Sequence, residues 1–181
     1  MRFSSRNLIT TENLACHAGF NSKPMGLPEG FTIRRASAAD LETLVDHRRS
    51  MFRDMEYSDE RAINSMSAKF QVWLRDHMEA GDYLAWLVDA PDGSIAAGTG
   101  LWLMDWPPHM TGQGGRRGNI LNVYTAASFR RRGLARELMK AALVWCKENG
   151  VDTLILHASP AGRTLYESMG FTPSNEMRLR L

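Results

Sequence analysis

The spacing of hydrophobic residues divides the chain into predicted helices and strands. Apolar residues recur every three or four positions over residues 41–55, 63–74 and 134–145, which is the pattern of a helix with one buried face. Short apolar or alternating runs, typical of strands, lie at 31–36, 83–89, 95–104, 120–125, 151–158 and 171–181. A short fourth helix is predicted between Pro160 and Gly170. The resulting order, β-α-α-β-β-β-α-β-α-β, predicts an α+β domain with a mixed sheet.

Two segments follow neither pattern. Residues 1–30 show no helical or strand periodicity and end in a stretch rich in proline and glycine. We therefore expect a poorly ordered leader there, followed by a single domain over residues 31–181; an alternative is that Met25 is the natural first residue. Residues 105–118 contain two prolines and four glycines, so we expect an irregular loop in that range.

Composition and charge narrow the classes of function. The 181 residues suffice for one domain with a buried core. The net charge of +2 is too small to indicate a nucleic-acid protein, and the basic residues cluster at 116–117 and 130–136, which favours a discrete anionic ligand. The two cysteines indicate neither a disulfide framework nor a metal site. Because the sequence lacks a membrane-spanning run and a signal-peptide pattern, we expect a cytoplasmic protein that binds neither membrane nor nucleic acid.

A basic turn lies between the predicted strand 120–125 and the helix that follows it. Residues 130–136 read Arg-Arg-Arg-Gly-Leu-Ala-Arg. The N-terminus of a helix directs unpaired backbone N–H groups and the positive end of the helix dipole at the preceding turn. Because Gly133 has no Cβ, the backbone can approach a bulky anion there. The turn therefore predicts a phosphate-binding site.

Two motifs resemble those of one protein family. The spacing Arg130-x-x-Gly133-x-Ala135 resembles the Q/R-x-x-G-x-G/A pyrophosphate loop of the GNAT superfamily of N-acyltransferases. Residues 165–171, Leu-Tyr-Glu-Ser-Met-Gly-Phe, resemble the L-Y-E-x-x-G-F signature of that family. The resemblance covers about residues 31–181 and implies a mainly antiparallel central sheet flanked by helices. It also implies acetyl-CoA as co-substrate, a small-molecule or peptide amine as acceptor, and a homodimer.

The resemblance also assigns roles to individual residues. Tyr166 matches the tyrosine that often protonates the departing CoA thiolate. Ser159 stands seven residues before it, where many members carry an asparagine that contacts the pantetheine arm; the shorter serine puts that contact in doubt. The remaining residues implied to bind the cofactor are Val123, Tyr124, Thr125, Arg130, Arg131, Arg132, Gly133, Leu134, Ala135 and Arg136.

Acyl transfer to an amine also needs a base, because an alkyl amine is protonated at pH 7. Glu56 is our candidate, since it lies between the first two predicted helices, a region that lines the acceptor site in the GNAT family. Asp105 and His109 are further candidates, and Asn122 is a candidate for orienting the acceptor. We expect a strand N–H near Val123 or Tyr124 to donate to the tetrahedral oxyanion.

Two other functions stay open at this level. A non-catalytic sensor of acyl-CoA would use the same phosphate turn, but it would not need a general acid such as Tyr166. A nucleic-acid binder would use Arg116, Arg117 and the run 130–132. The small overall charge disfavours that function, because nucleic-acid binding needs basic residues spread along a face.

Overall fold

The computed structural model describes residues 26–110 and 112–180, so most of the expected leader, including Met25, lies outside the described residues. One sheet contains β1 (Thr32–Arg35), β2 (Tyr83–Asp89), β3 (Ile95–Asp105), β4 (Arg116–Thr125) and β5 (Thr153–Leu156), in that spatial order. All neighbouring strands are antiparallel except β4 and β5. The helices are α1 (Leu41–Asp54), α2 (Glu60–Ala80), α3 (Leu134–Glu148) and α4 (Pro160–Glu167). The predicted α+β class with a mainly antiparallel sheet is confirmed.

Helices cover both faces of the sheet and divide the core into two layers. The first layer packs α3 against one face and includes Leu101, Ile120, Leu138 and Met139. The second packs α1 and α2 against the other face and includes Leu44, Leu74, Tyr83 and Leu87. Because β2 is covered on both sides, the adjacent residues Leu87 and Val88 are both fully buried, which explains its near-continuous apolar sequence.

Polar residues determine where the first helical segment begins. The carboxylate of Asp40 accepts a hydrogen bond from the backbone N–H of Ser37 at 2.8 Å, closing a capping box ahead of α1. Arg34 on β1 contacts Asp40 at 2.7 Å and Asp89 on β2 at 2.9 Å. The Arg34 guanidinium holds the pKa of Asp40 well below its usual range. These contacts tie the start of α1 to the edge of the sheet.

The predicted last strand is wrong for residues 171–180, which form neither strand nor helix. The alternating side chains of this segment stay exposed, with Met177 at 95% and Leu179 at 83%. Alternation is a local signal, whereas a strand also needs a neighbouring edge with which to pair. The adjacent strand β5 pairs over only four residues before the chain turns away toward α4.

The predicted loop 105–118 is partly wrong, because regular structure takes up both of its ends. β3 includes Asp105, which pairs with Arg116 at the start of β4. Gly118 lies inside β4, where a Cβ would overlap the side chain of Leu154 on β5. A glycine at this position thus allows close packing within the sheet rather than breaking the strand.

Candidate active site

A cleft opens where β4 and β5 separate. The two strands pair from Arg117 and Thr153 to Ile120 and Leu156. β4 continues for five further residues to Thr125 without a β5 partner, because the chain beyond Leu156 turns into α4. The second half of β4 therefore has an edge that is available to a ligand.

β4 bulges at this point of divergence. Its pairing with β3 shifts by one residue, so that Asn122 and Val123 together lie opposite Thr99. Asn122 has a φ of 55°, in the left-handed region that residues other than glycine seldom adopt. A bulge takes a residue out of the hydrogen-bonded ladder and bends the strand. A bulge of this kind can leave a backbone N–H without a ladder partner, which is the type of donor that an oxyanion needs.

A buried polar network holds the side chain of Asn122, which is 6% exposed. Its Nδ2 donates to the hydroxyl of Tyr83 at 3.0 Å, and its Oδ1 accepts from Nη1 of Arg48 at 2.6 Å. Burial raises the pKa of Tyr83 to about 12, so the hydroxyl stays protonated at neutral pH. Gly100 on β3 makes room for this hydroxyl, since a Cβ there would overlap it. Each side chain of the network thus supports the conformation of the bulge.

The turn before α3 has the geometry of an anion cradle. Gly133 is the N-cap of α3 with a φ of 80°, and Arg131 also lies in the left-handed region, with a φ of 61°. In the described part of the chain, the backbone N–H groups of residues 131–135 donate no hydrogen bond to a backbone carbonyl. Leu134 anchors the start of the helix in the core. The turn borders a cavity of about 180 Å³ whose lining residues are Thr125, Phe129, Arg130, Arg131, Gly133, Leu134, Ala135, Arg136 and Leu165.

Several arginine side chains of this turn bind neighbouring parts of the protein. Arg130 forms an ion pair with Asp54 at the end of α1 and donates to the backbone carbonyl of Thr125 at 3.0 Å. Arg136 donates to the hydroxyl of Ser168 at 2.8 Å. Arg131 and Arg132 are also exposed, and Arg132 donates to the backbone carbonyl of Ser128 at 3.3 Å. The side chains of Arg130 and Arg136 thus stabilise the turn. We therefore expect its backbone N–H groups to supply most of the hydrogen bonds to an anion.

The segment after β5 forms the other wall of the cleft. Tyr166 on α4 is 9% exposed, and its ring centroid lies 6.1 Å from that of Phe171. Burial raises the pKa of Tyr166, which keeps its hydroxyl protonated, as a proton donor requires. Ser159 caps α4, where its Oγ accepts a hydrogen bond from the N–H of Gly162 at 3.2 Å. This structural contact occupies part of the hydroxyl expected to meet pantetheine.

The other candidate residues lie at different distances from the cleft. Glu56 is exposed in the turn between α1 and α2, with a φ of 65°. Two residues earlier, Asp54 forms an ion pair with Arg130, which joins the end of α1 to the basic turn 130–136. Asp105 and His109 lie beside the first residues of β4, about 20 Å along that strand from the bulge. The structure therefore keeps Asp105 and His109 away from the bulge.

Sequence patterns missed Arg48 and Tyr83. Arg48 falls within the apolar stripe of α1, and Tyr83 begins an apolar strand, so their spacing indicates only a place in the core. The available signal was a charged residue inside a helical apolar stripe, since an arginine is seldom buried without a polar partner.

No group of three or more potential metal ligands occurs in residues 26–110 and 112–180. No helix within those ranges is both long and apolar enough to cross a membrane.

A family model and several solved structures match this chain. A family model described as the Acetyltransferase (GNAT) family matches residues 41–171. A GCN5-related N-acetyltransferase from Ralstonia eutropha is 35% identical, with 84% of this chain and 99% of that chain covered and a TM-score of 0.79. A predicted acetyltransferase from Clostridium acetobutylicum, solved with acetyl-CoA, is 25% identical over 83% and 95% of the two chains, with a TM-score of 0.75.

A more distant similarity concerns the fold alone. Glucosamine-6-phosphate N-acetyltransferase from Arabidopsis thaliana is 19% identical, with 84% of this chain and 99% of that chain covered and a TM-score of 0.60. A search of curated proteins finds no match. The solved structures thus share the fold of this chain, whereas the identity of the acceptor has to be argued from the residues of the cleft.

Proposed function

Because the chain belongs to the GNAT family of acetyltransferases, we propose that it transfers the acetyl group of acetyl-CoA to a primary amine of a small molecule or peptide. The observation that supports this most directly is the anion cradle before α3, which opens onto the cleft between β4 and β5. A cytoplasmic location and a homodimer stay predictions from the sequence.

Acetyl-CoA would bind along this cleft. Its pyrophosphate would accept hydrogen bonds from the free N–H groups of residues 131–135, aided by the dipole of α3 and the charge of Arg131 and Arg132. Its pantetheine arm would pair with the open edge of β4 from Val123 to Thr125. This path leads the thioester to the bulge at Asn122.

The transfer then follows from the groups around the thioester. The amine loses its proton to Glu56 and forms a C–N bond with the acetyl carbonyl carbon. The resulting oxyanion accepts a hydrogen bond from a backbone N–H of the bulge near Val123 or Tyr124. The C–S bond breaks, and the thiolate takes the proton of Tyr166, whose buried hydroxyl is neutral. The nitrogen, now bonded to the acetyl carbon, loses its second proton to solvent, and solvent returns a proton to Tyr166.

Thermal unfolding with acetyl-CoA tests the binding step. Ligand at about 100 times its Kd should add about 2.7 kcal/mol of stability, or a rise in Tm of about 5–11 °C for a chain of this size. No shift with millimolar acetyl-CoA would contradict the proposal. A shift without thiol release over a broad panel of amines would indicate the non-catalytic sensor instead.

A matched pair of glycine variants tests the role of the turn. Gly133 and Gly150 flank α3, and both have a positive φ, of 80° and 68°. Alanine at either position should cost about 1–2 kcal/mol through backbone strain. Only Gly133→Ala should also abolish the Tm shift with acetyl-CoA, because the alanine Cβ would lie in the anion cradle. If Gly150→Ala loses the Tm shift to the same extent, the turn is not the binding element.

A further inference from the structure

The three arginines of α1 differ in how their charges are balanced. Arg49 pairs with Asp46, and Arg53 pairs with Glu60 at 2.7 Å, both near the surface. Arg48 is more enclosed, and burial lowers its pKa. Even so, Arg48 contacts no carboxylate among the described residues. Since an unpaired charge is costly to bury, this position suggests a partner that is not part of the protein.

The guanidinium of Arg48 is fixed on three sides and open on one. Its centre lies 5.1 Å from the ring centroid of Phe52 and 4.5 Å from that of Phe70. Nη1 donates to Asn122 at 2.6 Å, and Nε lies 3.3 Å from the sulfur of Met66. Nη2 bonds to none of the described residues, and it is absent from the set of fully buried polar atoms without a partner. This nitrogen therefore reaches the surface with its donors unused.

Arg48 and Tyr166 lie on opposite sides of the sheet. α1 packs across β4 and β3, so the guanidinium of Arg48 lies against the β4 bulge on the α1–α2 side of the sheet. Tyr166 belongs to the core layer on the α3 side. An acceptor beside Arg48 would thus approach the thioester from the side opposite the proposed proton donor to the leaving thiolate.

We propose that Arg48 binds an anionic group of the acceptor, which is therefore a small amine with a carboxylate or phosphate within a few bonds of its nitrogen. This inference rests on the proposed acetyl transfer. A guanidinium donates two parallel hydrogen bonds to either anion, and the flanking rings of Phe52 and Phe70 limit its rotation.

Matched pairs of amines test the proposal. Thiol release from acetyl-CoA is measured with leucine against leucinamide, β-alanine against β-alaninamide, and 2-aminoethyl phosphate against ethanolamine. The wild-type protein should favour the anionic member of at least one pair at least tenfold in kcat/KM, and that pair identifies the anion. Arg48→Met should bring this ratio close to one, whereas the control Arg49→Met should preserve it.

The ratio of kcat/KM between the anionic and the neutral amine of a pair distinguishes anion binding by Arg48 from a purely structural role. If Arg48 only holds Asn122, Arg48→Met will slow both members of a pair equally, and the proposal is overturned. A wild-type ratio near one in every pair would also overturn it. Should no amine be turned over, calorimetry with the CoA-bound protein compares N-acetyl-leucine with N-acetyl-leucinamide, and equal affinities reject the proposal. Absence of acetyl-CoA binding would instead refute the proposed function itself.

Discussion

Mild acid should destabilise the protein through one buried histidine. His47 on α1 is 8% exposed, and its ring centroid lies 5.0 Å from that of Tyr124 on β4. Its Nδ1 is buried without a hydrogen-bond partner among the described residues, close above Gly98, whose Cβ would lie 2.8 Å away if present. Burial lowers the pKa of His47 to about 4, although the charge of Asp46 opposes this effect.

The sign of the effect follows from the two protonation equilibria. A histidine in the unfolded chain has a pKa near 6.5, so acidification protonates the unfolded state before the folded one. The free energy of unfolding contributed by His47 is therefore fully present above pH 6.5 and is lost as the pH falls toward 4. A pKa lowered from 6.5 to about 4 predicts a loss of about 2.5 kcal/mol between pH 7 and pH 4.5. Protonation of Asp40, whose pKa is low in the folded protein, destabilises the protein only in stronger acid.

Urea unfolding at a series of pH values from 7 to 4.5 measures this loss. His47→Phe keeps an aromatic ring but cannot titrate, so its free energy of unfolding should change much less over the same range. The reasoning is refuted if the wild type loses less than about 0.5 kcal/mol, or if His47→Phe retains the full pH dependence.

Two substitutions test the cleft itself. Tyr83→Phe should lower the free energy of unfolding by about 1–3 kcal/mol, because it leaves the buried Nδ2 of Asn122 without its partner at 3.0 Å; a change below about 0.5 kcal/mol in urea unfolding would contradict this. Tyr166→Phe should lower kcat about 10²–10⁴-fold in a thiol-release assay while the Tm shift with acetyl-CoA survives. An unchanged kcat would remove Tyr166 from the mechanism.

Local patterns predicted most of the architecture, because they report how each segment buries its apolar side. The period of the apolar residues in α3 and the apolar run in β4 identified the strand, turn and helix around Gly133. The same reasoning failed for residues 171–180, whose alternation is that of a strand. Whether an alternating segment pairs depends on a free edge elsewhere in the fold, which its own residues do not encode.

The α+β class, the basic turn before α3 and the family motifs can be read from the sequence, since each depends on residues close together in the chain. The surroundings of Asn122, in contrast, depend on how the elements pack. Its partners Arg48 and Tyr83 lie 74 and 39 residues away, on α1 and β2. They meet because α1 packs across the sheet and because β4 bulges against β3, and neither the packing nor the register of the strands can be derived from local spacing.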